Sequence, residues 1–290
     1  MSTLAVTAGH YLGLCKLKVV SLIVFTGLVG MALASSGMIP LNALIWGNLG
    51  IGLAAASAAA INHLLDARTD EVMARTRHRP LPTRALSERQ VLTFALALCA
   101  LSMLMLSLLV NVLTAVLTFA SLIGYAIVYT AYLKRATPQN IVIGGAAGAA
   151  PPVLGWTAVT GEIHAYALVL FLIVFVWTPP HFWALAIYRR DDYAAADVPM
   201  LPVTHGDAFT RWQILFYSII LIIVSSLPWL IGMSSLVYLA GVSVLNIGFL
   251  AYAVAMMLSK RTELPMQMFK YSVIYLIALF AFLLVDHYIH

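Results

Sequence analysis

Long apolar stretches alternate with short polar ones along nearly the whole chain. A helix that crosses a bilayer needs about 20 predominantly apolar residues, and nine stretches approach that length. They lie at 17–36, 41–65, 91–110, 112–132, 139–159, 164–187, 212–232, 235–258 and 267–286. None shows the alternation of apolar and polar residues that an outer-membrane barrel requires. The pattern predicts an all-α integral membrane protein with nine transmembrane helices.

The composition agrees with this prediction. Of the 290 residues, 62% are hydrophobic and only 9% are charged, whereas soluble domains carry about 25% charged residues. Too few charges are present to solvate a globular surface, so a soluble enzyme, a disordered protein and a secreted disulfide scaffold are excluded. The net charge of +5 is typical of basic cytoplasmic loops. We therefore expect a lipid bilayer as the surroundings and no nucleic-acid partner.

The positions of Lys and Arg predict the orientation. If the N-terminus is cytoplasmic, all sixteen Lys and Arg lie in the inside segments or within about a turn of them. These segments are 1–16, 66–90, 133–138, 188–211 and 259–266. We therefore predict a cytoplasmic N-terminus, an outside C-terminus and insertion in the cell inner membrane. Residues 1–290 are predicted to form one domain with two long cytoplasmic loops, at 66–90 and 188–211.

The first long loop begins with regularly spaced polar residues. Asn62, Asp66 and Asp70 are four residues apart, so on a helix they share one face. Carboxylates at this spacing repel each other unless a cation lies between them, and oxygen ligands suit Mg²⁺, which bridges carboxylates to substrate phosphates. The alternative is a solvated helix end whose acids pair with Arg68 and Arg75.

Every cation in the 66–90 loop is an arginine. Positive-inside bias does not distinguish Lys from Arg, whereas the planar guanidinium group binds phosphate oxygens in a bidentate manner. Acidic residues followed by arginines therefore predict a diphosphate site. The six arginines are Arg68, Arg75, Arg77, Arg79, Arg84 and Arg89.

The second long loop carries another cluster of acids and arginines. Asp191 and Asp192 are adjacent and cannot share one helix face, because neighbouring side chains point about 100° apart. We expect one of them to face a site and the other to pair with Arg189 or Arg190. Since both loops lie on the cytoplasmic face, we predict that they close over one shared cavity.

These motifs resemble a known family. The series Asn62-x-x-x-Asp66-x-x-x-Asp70, followed by Arg-Thr-x-x-Arg-Pro at 75–80 and by a second acidic loop, resembles the UbiA superfamily of intramembrane prenyltransferases. Residues 133–145, 178–183 and 192–203 resemble those members that join farnesyl diphosphate to a vinyl group of haem B, giving haem O. The resemblance covers about residues 16–288 and implies a nine-helix bundle.

The resemblance also implies roles for individual residues. Asn62, Asp66 and Asp70 would hold Mg²⁺ and the diphosphate, and His181 would bind haem B. The implied diphosphate-binding residues are Arg75, Arg79, Lys134, Arg135 and Arg190. The implied metal ligands are Asp66, Asp70, Asp191 and Asp192, with Asp192 also counted among the catalytic residues.

The chain departs from the family pattern at two places. Lys16-Leu17-Lys18 stands where many members have Lys-Pro-Arg. The second Asp-x-x-x-Asp motif is incomplete, and Asp197 stands where we expect glycine or another small residue. The second metal site is therefore less well supported than the first.

Several alternatives stay open at this point. His181 follows Pro179-Pro180, so it could instead satisfy a helix break. Another UbiA-type enzyme would prenylate a quinone or chlorophyll precursor. A secondary transporter would carry ionisable groups near the bilayer midplane, whereas these lie mostly at the cytoplasmic rim. A haem A synthase or a terminal oxidase is a further candidate partner.

Overall fold

All regular secondary structure in the described part of the chain is helical. The computed structural model describes residues 3–259 and 261–289. Its α-helices are α1 Thr3–Leu14, α2 Leu17–Leu33, α3 Asn48–Leu65, α4 Ala67–Val72, α5 Glu88–Leu109, α6 Val112–Ile123, α7 Lys134–Ala136, α8 Asn140–Ala149, α9 Pro151–Thr160, α10 Ala165–Tyr188, α11 Arg190–Ala195, α12 Leu201–Thr204, α13 Gly206–Leu230, α14 Leu236–Leu258 and α15 Leu264–Ile289. Two π-helical stretches, π1 Ala43–Gly47 and π2 Gly124–Leu133, precede α3 and follow α6.

Eight helices in these ranges are long and apolar enough to cross a membrane, and there are nine if a bent pair counts as one span. The bent pair joins Ala8–Leu14 to Leu17–Leu33 at an angle of 53°. The eight are Ala43–Leu65, Glu88–Leu109, Val112–Ala136, Asn140–Thr160, Ala165–Tyr188, Gly206–Leu230, Leu236–Leu258 and Leu264–Ile289. The all-helical membrane fold is confirmed, and the orientation of the termini stays a prediction.

Among the eight unbent spans, the largest difference from the prediction lies at the seventh, which begins at Gly206 rather than at residue 212. The added turns are polar and include Arg211, whose Nη1 donates to the carbonyl oxygens of Met256 at 2.6 Å and Ser259 at 2.7 Å. Hydropathy reports only the apolar length of a helix, so a polar first turn held by such contacts is missed.

The described chain forms two compact units. Unit 1 consists of Met1–Leu133 and Leu154–Glu162, and unit 2 consists of Lys134–Val153 and Ile163–His290; Met1, Ser2, Lys260 and His290 lie outside the described residues. The prediction of one functional domain over residues 1–290, with loops at 66–90 and 188–211, stays a prediction.

Unit 1 is held together by small residues and by hydroxyls that bond to backbone carbonyls of neighbouring helices. Ser57 Oγ donates to Ala95 O at 2.8 Å, and Ser102 Oγ donates to Gly50 O at 2.6 Å. Both bonds join α3 to α5. In lipid, where hydrophobicity does not drive helices together, close packing of small residues and interhelical hydrogen bonds take over that role.

Gly155 of α9 lies directly against the backbone of α2. A Cβ atom at Gly155 would lie 1.9 Å from the carbonyl oxygen of Gly27 in α2 and 3.1 Å from the amide nitrogen of Met31. The obstacle is backbone, which cannot turn aside as a flexible side chain can. Glycine is therefore required at position 155 by the contact between α2 and α9.

Unit 2 contains a buried polar network between three of its membrane-spanning helices. Asn246 of α14 accepts a hydrogen bond from Tyr275 Oη at 2.8 Å and donates to Ser225 Oγ at 3.0 Å. All three residues are buried. Because lipid supplies no hydrogen-bonding partner, the network links α13, α14 and α15 at fixed positions.

Asp286, near the end of α15, binds the beginning of α14. Its carboxylate accepts hydrogen bonds from the backbone N–H groups of Ser235 at 2.7 Å and Tyr238 at 3.1 Å, and from Ser235 Oγ. These groups stand at the beginning of α14, where N–H groups have no partner within the helix. A carboxylate is favoured there by the helix dipole.

We predict that Gly155→Ala destabilises the protein, whereas Gly148→Ala does not. The first substitution forces α2 and α9 apart, at a cost of about 1–3 kcal/mol or more. At Gly148 nothing lies within 4 Å of the added methyl group, and alanine is the better helix former by about 1 kcal/mol. Thermal unfolding in detergent measures both effects, and equal melting temperatures for the two variants would contradict the assignment of a close contact at Gly155.

Candidate active site

The acidic row of the first loop lies at the inner end of α3 in unit 1. Asp66 stands between α3 and α4, yet its N–H donates to Asn62 O at 2.9 Å, and the N–H of Asp70 donates to Asp66 O at 2.8 Å. Helical spacing is therefore maintained across the break, and the three side chains follow one another as the sequence predicts. Each residue is only 4% exposed.

Asn62 uses its whole amide group. Its Nδ2 donates to Asp66 Oδ2 at 2.9 Å and to Thr130 Oγ1 at 3.2 Å, and its Oδ1 accepts a hydrogen bond from Lys16 Nζ. The amide thereby fixes the orientation of the Asp66 carboxylate. Sequence reasoning missed both Lys16 and Thr130 as members of this cluster.

Unusual backbone geometry brings these two residues to Asn62. Thr130 lies in π2, where its Oγ1 donates to the carbonyl of Tyr125 five residues earlier at 2.8 Å, and π-helical turns are frequent at functional sites. Lys16 has a left-handed backbone, with φ 48°, at the bend between α1 and α2. No signal in the sequence marks either the π-helix or the bend.

Arg79 binds the last member of the row. Its Nη1 donates to Asp70 Oδ2 at 2.7 Å, with the two side chains 20% and 5% exposed. Thr76 Oγ1 donates to Asp70 O at 3.2 Å, and the N–H of Arg79 donates to Thr76 O at 3.0 Å. The Arg-Thr-x-x-Arg segment therefore folds back onto Asp70. Arg68 and Arg75 are exposed, whereas the arginine that pairs with Asp70 is Arg79.

In unit 2, the second acidic cluster lies on and around the short helix α11. Asp192 Oδ2 lies 3.5 Å from Arg189 Nη1, and Arg190 Nη1 lies 3.7 Å from Asp207 Oδ1. Asp191 is exposed. One of the two adjacent aspartates thus pairs with Arg189, as expected, although the groups are more open to solvent than the buried row of unit 1.

Asp197 has a left-handed backbone conformation, with φ 51°. This conformation costs an L-residue other than glycine about 1–2 kcal/mol, and aspartate tolerates it better than most residues. The expectation of a glycine or other small residue at this position therefore has a conformational reason. Asp197 is exposed.

His181 lies inside α10 and is 7% exposed. Its ring stacks between Trp177, at a centroid distance of 4.2 Å, and Phe269 of α15, at 4.5 Å. Its Nδ1 lies 2.6 Å from Ser272 Oγ. Lys134 and Arg135, the other basic residues predicted for the site, form α7 and are half-buried and exposed respectively.

The unit 1 cluster suits a divalent cation that is shared with a phosphate ligand. Within residues 3–259 and 261–289, no three His, Cys, Asp or Glu side chains are grouped as a complete set of metal ligands. Mg²⁺ is usually bound by one or two carboxylates together with substrate phosphates and water. The buried carboxylates of Asp66 and Asp70 match that partial set of oxygen ligands.

Fold and cluster together define a multi-pass membrane protein with a buried acidic row next to arginine. The model of the UbiA prenyltransferase family matches residues 23–283. The chain belongs to the UbiA prenyltransferase family.

Among curated proteins, this chain is similar to protoheme IX farnesyltransferases. It is 59% identical over 279 residues to that of Methylococcus capsulatus, which covers 96% of this chain and 94% of the relative. It is 62% identical over 276 residues to that of Alkalilimnicola ehrlichii, which covers 95% of this chain and 91% of the relative.

Solved structures share the fold at low sequence identity. A digeranylgeranylglyceryl phosphate synthase superimposes with a TM-score of 0.81 at 18% identity, covering 97% of this chain and 98% of that chain. A UbiA homologue from Archaeoglobus fulgidus, bound to DMAPP and Mg²⁺, superimposes with a TM-score of 0.64 at 16% identity, covering 94% and 99%.

We predict that Asp197→Gly raises the melting temperature without loss of prenyltransferase activity. Glycine removes the strain of the left-handed backbone, and after its own entropic cost the gain is about 0.5–1 kcal/mol. Asp197→Ala is the matched comparison, because it keeps Cβ and is expected to lower the melting temperature. Loss of activity in both variants would instead make Asp197 a binding residue.

Proposed function

We propose that this chain transfers the farnesyl group of farnesyl diphosphate to a vinyl group of haem B, with addition of water, giving haem O. The observation that carries the proposal is the identity of 59% and 62%, over nearly the full length, to protoheme IX farnesyltransferases. The buried acidic row with its arginine supplies the chemistry that such a transfer needs.

The diphosphate would be bound by the unit 1 cluster. Asp66 and Asp70 would hold Mg²⁺, with Asn62 orienting the Asp66 carboxylate through its 2.9 Å hydrogen bond. When bound, the cation supplies positive charge to the leaving diphosphate. Arg79, already ordered by its bond to Asp70, and the exposed Arg75 would donate to phosphate oxygens.

The remaining predicted site residues keep their proposed roles. Lys134, Arg135 and Arg190 would contact phosphate oxygens, Asp191 and Asp192 would serve a second cation, and Asp192 would act among the catalytic residues. His181 would ligate the haem iron. The predicted site residues of α7 and α11 are mostly exposed, so they are accessible to a ligand that comes from solvent. His181, in contrast, is enclosed by aromatic rings.

The reaction needs no nucleophile from the protein. The allylic C–O bond of farnesyl diphosphate breaks, and both electrons leave with the diphosphate, whose developing charge is stabilised by ordered cationic groups. The vinyl group of haem B attacks C1 of the allylic cation, and the new carbon–carbon bond leaves a cation beside the porphyrin. Water adds to that carbon and loses a proton, which gives the hydroxyl group of haem O.

The cell inner membrane is the proposed location, with the N-terminus in the cytoplasm. The product still carries a complete haem and a new lipid tail, so the protein that consumes it must accept both. A haem A synthase or a terminal oxidase fits that requirement and is the proposed downstream partner.

The direct test incubates membranes containing the protein with haem B, farnesyl diphosphate and Mg²⁺. We expect a product whose mass equals that of haem B plus a farnesyl group and a hydroxyl group. A quinone precursor and a chlorophyll precursor are offered in parallel as acceptors. Prenylation of either precursor in place of haem B would show that this chain is a UbiA-family enzyme with a different acceptor substrate.

We predict that Asp66→Asn and Asp70→Asn each reduce farnesyl transfer by about 100-fold or more. Each substitution removes one of the negative charges that would hold Mg²⁺ next to the leaving diphosphate. Both variants are expected to insert and fold, since the amide is close in size to the carboxylate. Product mass at limiting Mg²⁺ is the measurement.

Glu71→Gln is the matched control, because Glu71 is the exposed acidic neighbour of Asp70 on α4. It removes the same charge from the same helix outside the buried row and is expected to retain activity. Full activity in both aspartate variants at limiting Mg²⁺ would show that the acidic row does not bind the cation used in the reaction.

A further inference from the structure

Ser272 of α15 has two polar neighbours but a single hydroxyl proton. Its Oγ lies 2.7 Å from the carbonyl oxygen of Phe269 and 2.6 Å from His181 Nδ1. A carbonyl oxygen can only accept, so the serine proton must point to it for the first contact to be favourable. The second contact then requires Nδ1 to be the donor. One tautomer of His181 satisfies both contacts, and in that tautomer Nε2 carries a lone pair.

The serine is held in place independently of the histidine. Its backbone carbonyl accepts a hydrogen bond from Trp177 Nε1 at 2.8 Å, which ties α15 to α10. Ser272 is completely buried. Because both its hydroxyl and its carbonyl are engaged, its Oγ is a fixed acceptor rather than a rotating one.

The orientation of the imidazole ring of His181 is also fixed by its neighbours. Trp177 and Phe269 stack on its two faces at interplanar angles of 18° and 23°, and Phe182 meets it edge-on at 80°. Among the residues that the structure describes, Nδ1 is the ring nitrogen with a hydrogen-bond partner. An imidazole nitrogen binds a metal through a lone pair that lies in the plane of the ring. Because aromatic rings cover both faces of His181, a metal ion can approach its free nitrogen only in that plane.

We propose that Ser272 is a positioning residue for the haem substrate: it accepts the Nδ1 proton of His181 and thereby presents Nε2 to the haem iron. The inference rests on the proposed function, in which His181 ligates that iron. Histidines that bind metals characteristically donate their other N–H to a neighbouring acceptor, and loss of that acceptor costs about 10–100-fold in affinity or activity. Trp177 supports the arrangement by holding the Ser272 backbone.

The test uses the purified full-length protein titrated with ferric haem B. For Ser272→Ala we expect an absorption spectrum that departs from that of the wild type, and a KM for haem raised about tenfold or more with the KM for farnesyl diphosphate unchanged. Ser272→Cys, close to serine in size but a weak acceptor, is expected to show the same changes and serves if the alanine variant does not fold. A wild-type spectrum and wild-type KM for haem in either folded variant would overturn the proposal.

Two further variants separate this inference from the proposed function. His181→Ala is expected to abolish the absorption spectrum of histidine-ligated haem. An unchanged spectrum would overturn the role proposed for Ser272. The proposed function is tested separately, by farnesylation of haem B by the wild-type protein. Ser218→Ala is the matched control, since Ser218 is a buried serine of the same unit whose Oγ donates within its own helix, to Ile214 O at 2.6 Å. An equal rise in the KM for haem in this control would attribute the effect to general loosening of the unit and overturn the proposal.

Discussion

A polar group inside a bilayer must find its partner within the protein, because hydrocarbon offers none. The rest of the structure depends on this constraint. In unit 2, Asn246 is shared between neighbouring helices, and Asp286 binds the first N–H groups of α14. In unit 1, Ser57 and Ser102 bond to carbonyls across α3 and α5. Each such bond both satisfies a buried group and fixes how two helices meet.

The same constraint shapes the candidate site. Asp66 and Asp70 are buried at the end of a membrane helix, where an uncompensated carboxylate is costly. Each is therefore bound by a neighbour, Asn62 for the first and Arg79 for the second. A cluster that is ordered before its ligand arrives loses little further entropy on binding, which is an advantage for the proposed site, whose ligand would combine a charged diphosphate with an apolar tail.

Much of this arrangement could be predicted from residue spacing. The four-residue spacing of Asn62, Asp66 and Asp70 is preserved even though the helix breaks at Asp66, because the backbone hydrogen bonds across the break continue. The apolar stretches predict the spans well, apart from the polar first turns of α13. The expectation of a small residue at 197 is explained by its left-handed backbone. The roles of individual residues, including His181 and the acids of α11, stay predictions.

The sequence by itself determined the membrane class, the all-helical fold, the run of spans and the acidic row, because each depends on composition or on periodicity within a single helix. Only the tertiary structure decided that Lys16 and Thr130 meet Asn62, that Gly155 lies against Gly27, and that Ser272 binds His181. These contacts join residues up to 128 positions apart in the sequence. They depend on a π-helix, a bend and the register of neighbouring helices, none of which leaves a local pattern in the amino-acid sequence.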